Sequence, residues 1–362
     1  MSEDMNIQEV IPSINYDRTN LGWQALVARH AVEFFSARRN SESLNAIGKN
    51  PTSGSLTTLN GTDFMKYLEV AKFHDNAWSH VMNIQRILDS LVRVGLLIDV
   101  GQGTSPIMGR YYWHLGTITT SQARGDLWLS EALGAELVIP SYASVTVPLT
   151  GTASDGEVRI GTGLVVDSHH VLTCAHVVRD MTLDEKIERS TVMPPIIWGL
   201  VPFGEMRIVA WHVHDTVDVA ILEVAGRGFL TLGGLTLRDA GWADRVTLFG
   251  YPPVPMNPNA DLIVQRGEVV NPSIAGMHGQ TLFLYSAIAR PGNSGGPIVA
   301  SDGRVLGLVT QELLNQGRPQ WPFFAGVPAG EVSRAAQELG FPDLLTLETW
   351  KMHNNVRVSE AW

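Results

Sequence analysis

From Leu137 onward the chain consists of short β-branched runs broken by Gly, Pro, Asp and Asn, and that rhythm leaves few folds open. Ser144-Val-Thr-Val-Pro-Leu, Glu157-Val-Arg-Ile, Gly163-Leu-Val-Val and Arg207-Ile-Val-Ala-Trp come first. Arg245-Val-Thr-Leu-Phe, Leu262-Ile-Val-Gln, Thr281-Leu-Phe-Leu-Tyr, Gly296-Pro-Ile-Val-Ala and Arg304-Val-Leu-Gly-Leu-Val come next. Many short strands at turn-punctuated spacing predict an all-β sandwich or barrel. A short helix over Glu331–Leu339 closes this half, and no internal repeat is visible.

Upstream the pattern is helical. Leu26, Val27, Phe34 and Phe35 recur at helical spacing within Leu21–Arg39, and the Ser/Asn/Thr/Gly-rich stretch Asn40–Asn60 reads as a long loop. Thr62 and Asp63 are suited to cap a helix bearing Phe64, Tyr67, Leu68 and Ala71. Ser79 opens another run with Val81, Ile84, Leu88, Leu91 and Val92 on one face. Leu96–Val100, a turn over Gly101–Gly109 and Arg110–Leu115 then read as a β-hairpin. Helix, helix, hairpin resembles a winged helix. The expected organisation is therefore α+β with two domains. Residues 1–20 form a flexible N-terminus, 21–136 a winged-helix-like domain, 137–345 the β domain and 346–362 a tail.

Three segments of the β half belong together: Gly161-Thr-Gly-Leu-Val-Val through Leu172-Thr-Cys-Ala-His176-Val-Val, Val217-Asp218-Val-Ala-Ile-Leu, and Arg290-Pro-Gly-Asn-Ser294-Gly-Gly-Pro-Ile-Val. In this order they resemble the His, Asp and Ser segments of trypsin-like serine peptidases. Pro-Gly-Asn-Ser-Gly-Gly-Pro is similar to the bacterial HtrA-like branch, and Gly250-Tyr-Pro252 after an apolar strand fits that branch too. The resemblance covers roughly residues 140–340 and implies a double-barrel chymotrypsin fold and a serine endopeptidase needing no cofactor.

The chemistry calls for these residue types. A serine hydroxyl is a poor nucleophile at neutral pH, so Ser294 needs a neighbouring base, which His176 supplies. Asp218 would hold the other ring nitrogen and stabilise the imidazolium. Asp215 is the rival acid, but Asp218 directly precedes Val-Ala-Ile-Leu, which matches the family strand. The N–H groups of Gly292 and Ser294 would form the oxyanion hole, where a backbone turned so sharply favours residues without a Cβ.

Other polar residues read more plainly. His212 and His214 share a face of a strand, but nothing beside them completes a metal-ligand set, so a solvated face is expected and no metal site. Cys174 reads as a small buried hydrophobe, and the tandem His169-His170 as turn-exposed. One cysteine also excludes any intramolecular disulfide.

In the family, the residue six positions before the nucleophile floors the primary specificity pocket. Here it is Ile288, which cannot pair with Lys or Arg, so cleavage after small or medium apolar residues is expected. Val309 and Thr310, within Gly307-Leu-Val-Thr-Gln311, resemble the strand on which substrate pairs by β-addition. Asn293 replaces the Asp that pairs with a freed N-terminus in digestive enzymes, which disfavours activation by propeptide removal. Only about twenty residues follow the last helix, too few for a PDZ domain.

Charge bounds the partners. With 44% apolar residues, 17% charged and a net charge of −10, the chain can bury a core and is unsuited to coating nucleic acid. Residues 1–136 carry eleven Lys/Arg against fourteen Asp/Glu, a net of −3, so this domain reads as a protein adaptor rather than a DNA reader. A helical module fused to such a peptidase is similar to bacterial conflict-system effectors. The acidic N-terminal residues do not read as a signal peptide, and the longest apolar stretches are far shorter than a membrane span, so a cytoplasmic protein is expected. The expected partners are a protein or peptide substrate and a regulatory protein bound through residues 21–136. Two other functions fit the same residues: a peptidase-like domain that binds peptides without cutting, and a DNA-binding regulator with an appended protease.

Overall fold

The computed structural model describes residues 21–52, 54–71, 76–116, 124–187, 206–226, 231–257, 259–276, 279–310 and 323–348. It divides into two compact units, one ending at His114 and one beginning at Leu115.

The first unit contains helices Leu21–Phe34, Asn40–Ala46, Gly61–Val70 and Val81–Arg93, with a three-stranded antiparallel sheet in which Arg110–Trp113 lies between Leu59–Asn60 and Ile98–Gln102. The expected hairpin is the pair Ile98–Gln102 and Arg110–Trp113. Asn40–Ala46 is helical where composition suggested loop. Leu44 is buried there, and the Asn40 side chain bonds both the N–H and the carbonyl of Thr57. The third helix is capped from Asn60 rather than Thr62. The Asn60 side chain accepts from the Asp63 N–H, and Asp63 returns the bond to the Asn60 N–H. Phe34, Phe35, Phe64 and Tyr112 form an aromatic core, with neighbouring ring centroids 5.1–5.5 Å apart.

The second unit begins upstream of the change in sequence pattern at Leu137. Helix Ala135–Val145 runs through Pro140 into the first strand, and its buried Tyr142 donates to the Gly303 carbonyl at 2.6 Å. Seven strands then form one sheet in the order Met181–Leu183, Thr146–Ala153, Val158–Val165, His170–Thr173, Ala220–Gly226, Met206–Val213, Lys186–Ile187. Six more close a barrel: Arg245–Gly250, Ile263–Ala275, Thr281–Tyr285, Phe324–Pro328, Val305–Val309 and Pro297–Ala300. Of the two expected barrels, the second is closed and the first is a sheet among the described residues. Helix Ala329–Glu338 buries Val332, Ala335 and Ala336 in the core shared with both sheets.

Candidate active site

The seven-stranded sheet supplies two of the expected residues and the barrel supplies the third. His176 is the second residue of helix Ala175–Arg179, which follows strand His170–Thr173 at once. Asp218 sits in the turn between Met206–Val213 and Ala220–Gly226, and Ser294 in the loop before Pro297–Ala300. His176 Nδ1 lies 2.8 Å from Asp218 Oδ2, and the His176 backbone N–H donates to Asp218 Oδ1 at 3.0 Å. Ser294 and Gly292 line the same cavity of about 360 Å3 as His176.

Asp218 has a third donor that sequence reading assigned elsewhere. Thr310 Oγ1 donates to Asp218 Oδ2 at 2.6 Å. Burial pushes the Asp218 pKa up, but the His176 ring, the Thr310 hydroxyl and the His176 N–H outweigh it and hold the carboxyl at about 2. The carboxylate is thus charged at any physiological pH.

The nucleophile loop is a tight turn. The Asn293 N–H donates to the Arg290 carbonyl at 3.0 Å, with Pro291 second and Gly292 third at φ +97°. Pro then Gly in these places is the signature of a type II turn. A Cβ on Gly292 would come within 2.6 Å of the Tyr251 carbonyl oxygen, so the glycine is required twice over. In residues 292–296 the N–H groups of Asn293, Gly295 and Gly296 bond to Arg290, Val309 and Asn293 carbonyls. Those of Gly292 and Ser294 are not engaged by another described group. Two unengaged donors flanking a buried side chain suit a developing oxyanion.

Thr162 braces this loop from the sheet. Its N–H donates to the Ser294 carbonyl at 2.9 Å, its hydroxyl donates to the Gly292 carbonyl at 2.6 Å, and that hydroxyl accepts from the Tyr251 N–H at 3.0 Å. His214 organises the Asp218 turn in a comparable way. Its Nδ1 accepts from the Val217 N–H at 3.0 Å and the Thr216 N–H at 3.2 Å, which leaves Nε2 to donate to Glu338 at 2.7 Å. Arg179, at the end of the His176 helix, donates to the His214 carbonyl at 2.6 Å. The solvated face expected for this pair holds for the partly exposed His212 and not for His214. His214 is buried, and His212 Nε2 meets Glu223 at 2.6 Å. Of the tandem pair, His169 is exposed while His170 starts a strand beside Phe341.

The expected substrate-pocket residues separate. Thr310 lines the cavity, but Ile288 and Val309 do not. Ile288 is 47% exposed on the segment after Thr281–Tyr285, and Val309 is 1% exposed within the barrel core. Strand Val305–Val309 is paired on both sides, by Pro297–Ala300 and Phe324–Pro328, and the Thr310 N–H donates to the Ala325 carbonyl. No edge is left on it for an added peptide strand. Gln311 lies outside the described residues.

Cys174 is fully buried, and its thiol donates to the Val309 carbonyl at 3.2 Å. Burial first, then the nearby Asp218 carboxylate, pushes it well above the ordinary thiol range. Cys174, His176 and Asp218 bring ligand atoms within 4.8 Å of one another. A protonated thiol and a ring nitrogen already bonded to the carboxylate make a poor metal site. Asn293 is 1% exposed, and its Oδ1 has no partner among the described residues. Among the described residues no helix is long and apolar enough to cross a membrane.

Residues 161–308 match the family described as a trypsin-like peptidase domain. An uncharacterized protein, y4bJ of Sinorhizobium fredii, is 30% identical over 181 residues, covering 48% of this chain and 24% of that protein. The magnetosome formation protease MamE of Magnetospirillum gryphiswaldense is 26% identical over 216 residues, covering 58% of this chain and 25% of that protein. The chain thus spans about a quarter of the length of these curated relatives. Among solved structures, the active form of the Rv3671c protease from M. tuberculosis aligns with a TM-score of 0.42 at 22% identity, over 57% of this chain and 87% of that one. The HtrA-type protease AlgW with tripeptide aligns with a TM-score of 0.42 at 19% identity, over 56% and 63%.

Proposed function

From a chain that carries a trypsin-like peptidase domain over residues 161–308, we propose a serine endopeptidase that cuts polypeptides through Ser294, His176 and Asp218. The observation that carries this reading is the 2.8 Å contact between His176 Nδ1 and a charged Asp218, with Ser294 in the cavity that the imidazole lines.

Ser294 Oγ attacks the scissile carbonyl carbon while His176 Nε2 takes the hydroxyl proton. Asp218 holds the Nδ1–H side of the ring and balances the imidazolium that forms. The carbonyl oxygen becomes an oxyanion within reach of the Gly292 and Ser294 N–H groups. His176 then protonates the leaving nitrogen, the carbon–nitrogen bond breaks, and an ester to Ser294 remains. Water, deprotonated by His176, attacks that ester, and collapse returns Ser294 with its proton.

On the acyl side the proposed preference for small or medium apolar residues rests on the family position of Ile288 alone, since Ile288 does not line the cavity. Residues 21–136 are proposed to bind a regulatory protein, since their charge is mixed rather than basic. Incubating the wild-type chain and Ser294→Ala with an unfolded polypeptide tests the reading. Cleavage by the first and none by the second is expected. Binding without cleavage by both would instead indicate a peptide-holding module.

A further inference from the structure

The carboxylate of Asp218 is held by His176 and Thr310, and its backbone is held by a second imidazole. Asp218 is the middle residue of a three-residue turn, closed by the Val219 N–H donating to the Val217 carbonyl at 2.7 Å. The two N–H groups that precede Asp218, on Thr216 and Val217, both donate to His214 Nδ1, at 3.2 and 3.0 Å. The His214 N–H closes the same loop by donating to the Val219 carbonyl at 3.0 Å.

Only one form of the ring can do this. Nδ1 must offer its lone pair to two donors, so the ring proton has to lie on Nε2. Glu338 Oε2 stands 2.7 Å from Nε2, and an ionised carboxylate can only accept. The bond to His214, and then the bond to Arg334, hold the Glu338 carboxyl below its ordinary range, which keeps it ionised. His214 is buried, so water is no ready substitute for these partners. Arg179, on the helix that carries His176, donates to the His214 carbonyl at 2.6 Å. One side chain thus joins the turn bearing the acid to helix Ala329–Glu338, and its backbone joins both to the helix bearing the base.

Resting on the endopeptidase reading, we infer that His214 is a positioning residue for the triad and that Glu338 sets its tautomer. His214 does not line the cavity at Ser294, so it acts through the Thr216 and Val217 N–H groups. These set where the Asp218 side chain leaves the backbone, and hence where the His176 ring is held.

The test compares two replacements with opposite losses. His214→Phe keeps the bulk of a ring and removes the acceptor. His214→Asn gives up the bulk, but an Asn side chain accepts from N–H groups two and three residues on, the places that Thr216 and Val217 occupy. On one peptide, kcat should fall about 10–100-fold in His214→Phe and return to within about threefold of wild type in His214→Asn, with KM within about twofold in both. A space-filling role predicts the reverse order. That order, or a loss carried by KM, overturns the inference and leaves the endopeptidase reading standing. Nitrogen NMR of the full chain with isotope-labelled histidine reads the tautomer, and His214→Asn identifies the signal. The proton should lie on Nε2 in wild type and spread to Nδ1 in Glu338→Leu, and a wild-type proton on Nδ1 overturns the inference. Absence of Ser294-dependent cleavage by wild type overturns the endopeptidase reading, and the tautomer still decides whether His214 holds the Asp218 turn.

Discussion

The hydroxyl of Thr162 donates to the carbonyl of Gly292 at 2.6 Å, joining two residues 130 positions apart. That bond fixes the peptide plane next to the Gly292 N–H, so it governs where one of the two proposed oxyanion donors points. Thr162→Val keeps the shape and removes the hydroxyl. It leaves the buried Gly292 carbonyl and Tyr251 N–H each short of a partner, at a cost of about 1–3 kcal/mol per group. The expected outcome is a fall in kcat of about 10–100-fold with little change in KM, since the interaction matters most in the transition state. Steady-state kinetics on one peptide checks it.

A second expectation concerns acid stability. Asp218 titrates at about 2 in the fold against 3.8 in an ordinary carboxyl, so the unfolded chain takes up its proton first as pH falls. Its contribution is therefore complete above pH 3.8 and is lost as pH drops toward 2. A shift of this size corresponds to about 2 kcal/mol. Urea unfolding at pH 5 and at pH 2.5 should show that difference in wild type, and it should shrink in Asp218→Asn. Thr310→Val, which removes one of the donors, should move the loss to higher pH.

Much of the site could be read from the chain because its chemistry is written in contiguous runs. Leu-Thr-Cys-Ala-His176 and Pro-Gly-Asn-Ser294-Gly-Gly specify backbone shape as well as side chains, and strand spacing betrayed the β half. Thr310 was expected on the substrate strand but not as a donor to Asp218, and Thr162 and His214 were not legible as site residues. Their partners lie 92, 130 and 124 positions away, and a threonine or histidine in a strand-rich stretch carries no mark of what it will face. Two helices were hidden for local reasons. Asn40–Ala46 is Ser/Asn-rich and depends on burying Leu44, while Ala135–Val145 contains Pro140 and β-branched residues that suggest an extended chain. Ile288, expected at the pocket from family spacing, is half in solvent and does not line the cavity that the described residues form.

Asn293 offers a third test. It is buried, with Oδ1 unpartnered among the described residues. Asn293→Asp would place a carboxylate in a buried site where no described group bonds its oxygen, at a cost of several kcal/mol or a strongly raised pKa. The expected result is a Tm lowered by several degrees at pH 8 and recovered in part at pH 5, where the carboxyl takes its proton. Differential scanning fluorimetry at the two pH values checks it.

The first unit should weaken in mild acid. Burial, then the charges of Arg29 and Arg39, hold the His30 ring down at about 4. Burial also lowers His114, against the carbonyl of Leu96 that favours its protonation. With a folded value below the unfolded 6.5, His30 lets the unfolded chain bind protons first, so stability is full above pH 6.5 and is lost between 6.5 and 4. Allowing for solvent around a partly buried ring, the loss is on the order of 2 kcal/mol. Peptide-resolved amide exchange in urea should show residues 21–114 opening earlier at pH 4.5 than at pH 7.5, and His30→Gln should flatten that difference.

The most direct measurement is covalent labelling by a fluorophosphonate, read by intact mass and peptide mapping. The wild-type chain should take one label on Ser294, and His176→Ala should lose it although the serine is still there, because only a serine with a neighbouring base is reactive. A wild-type chain that stays unlabelled, or a label on Ser294 that forms equally fast without His176, would contradict the triad.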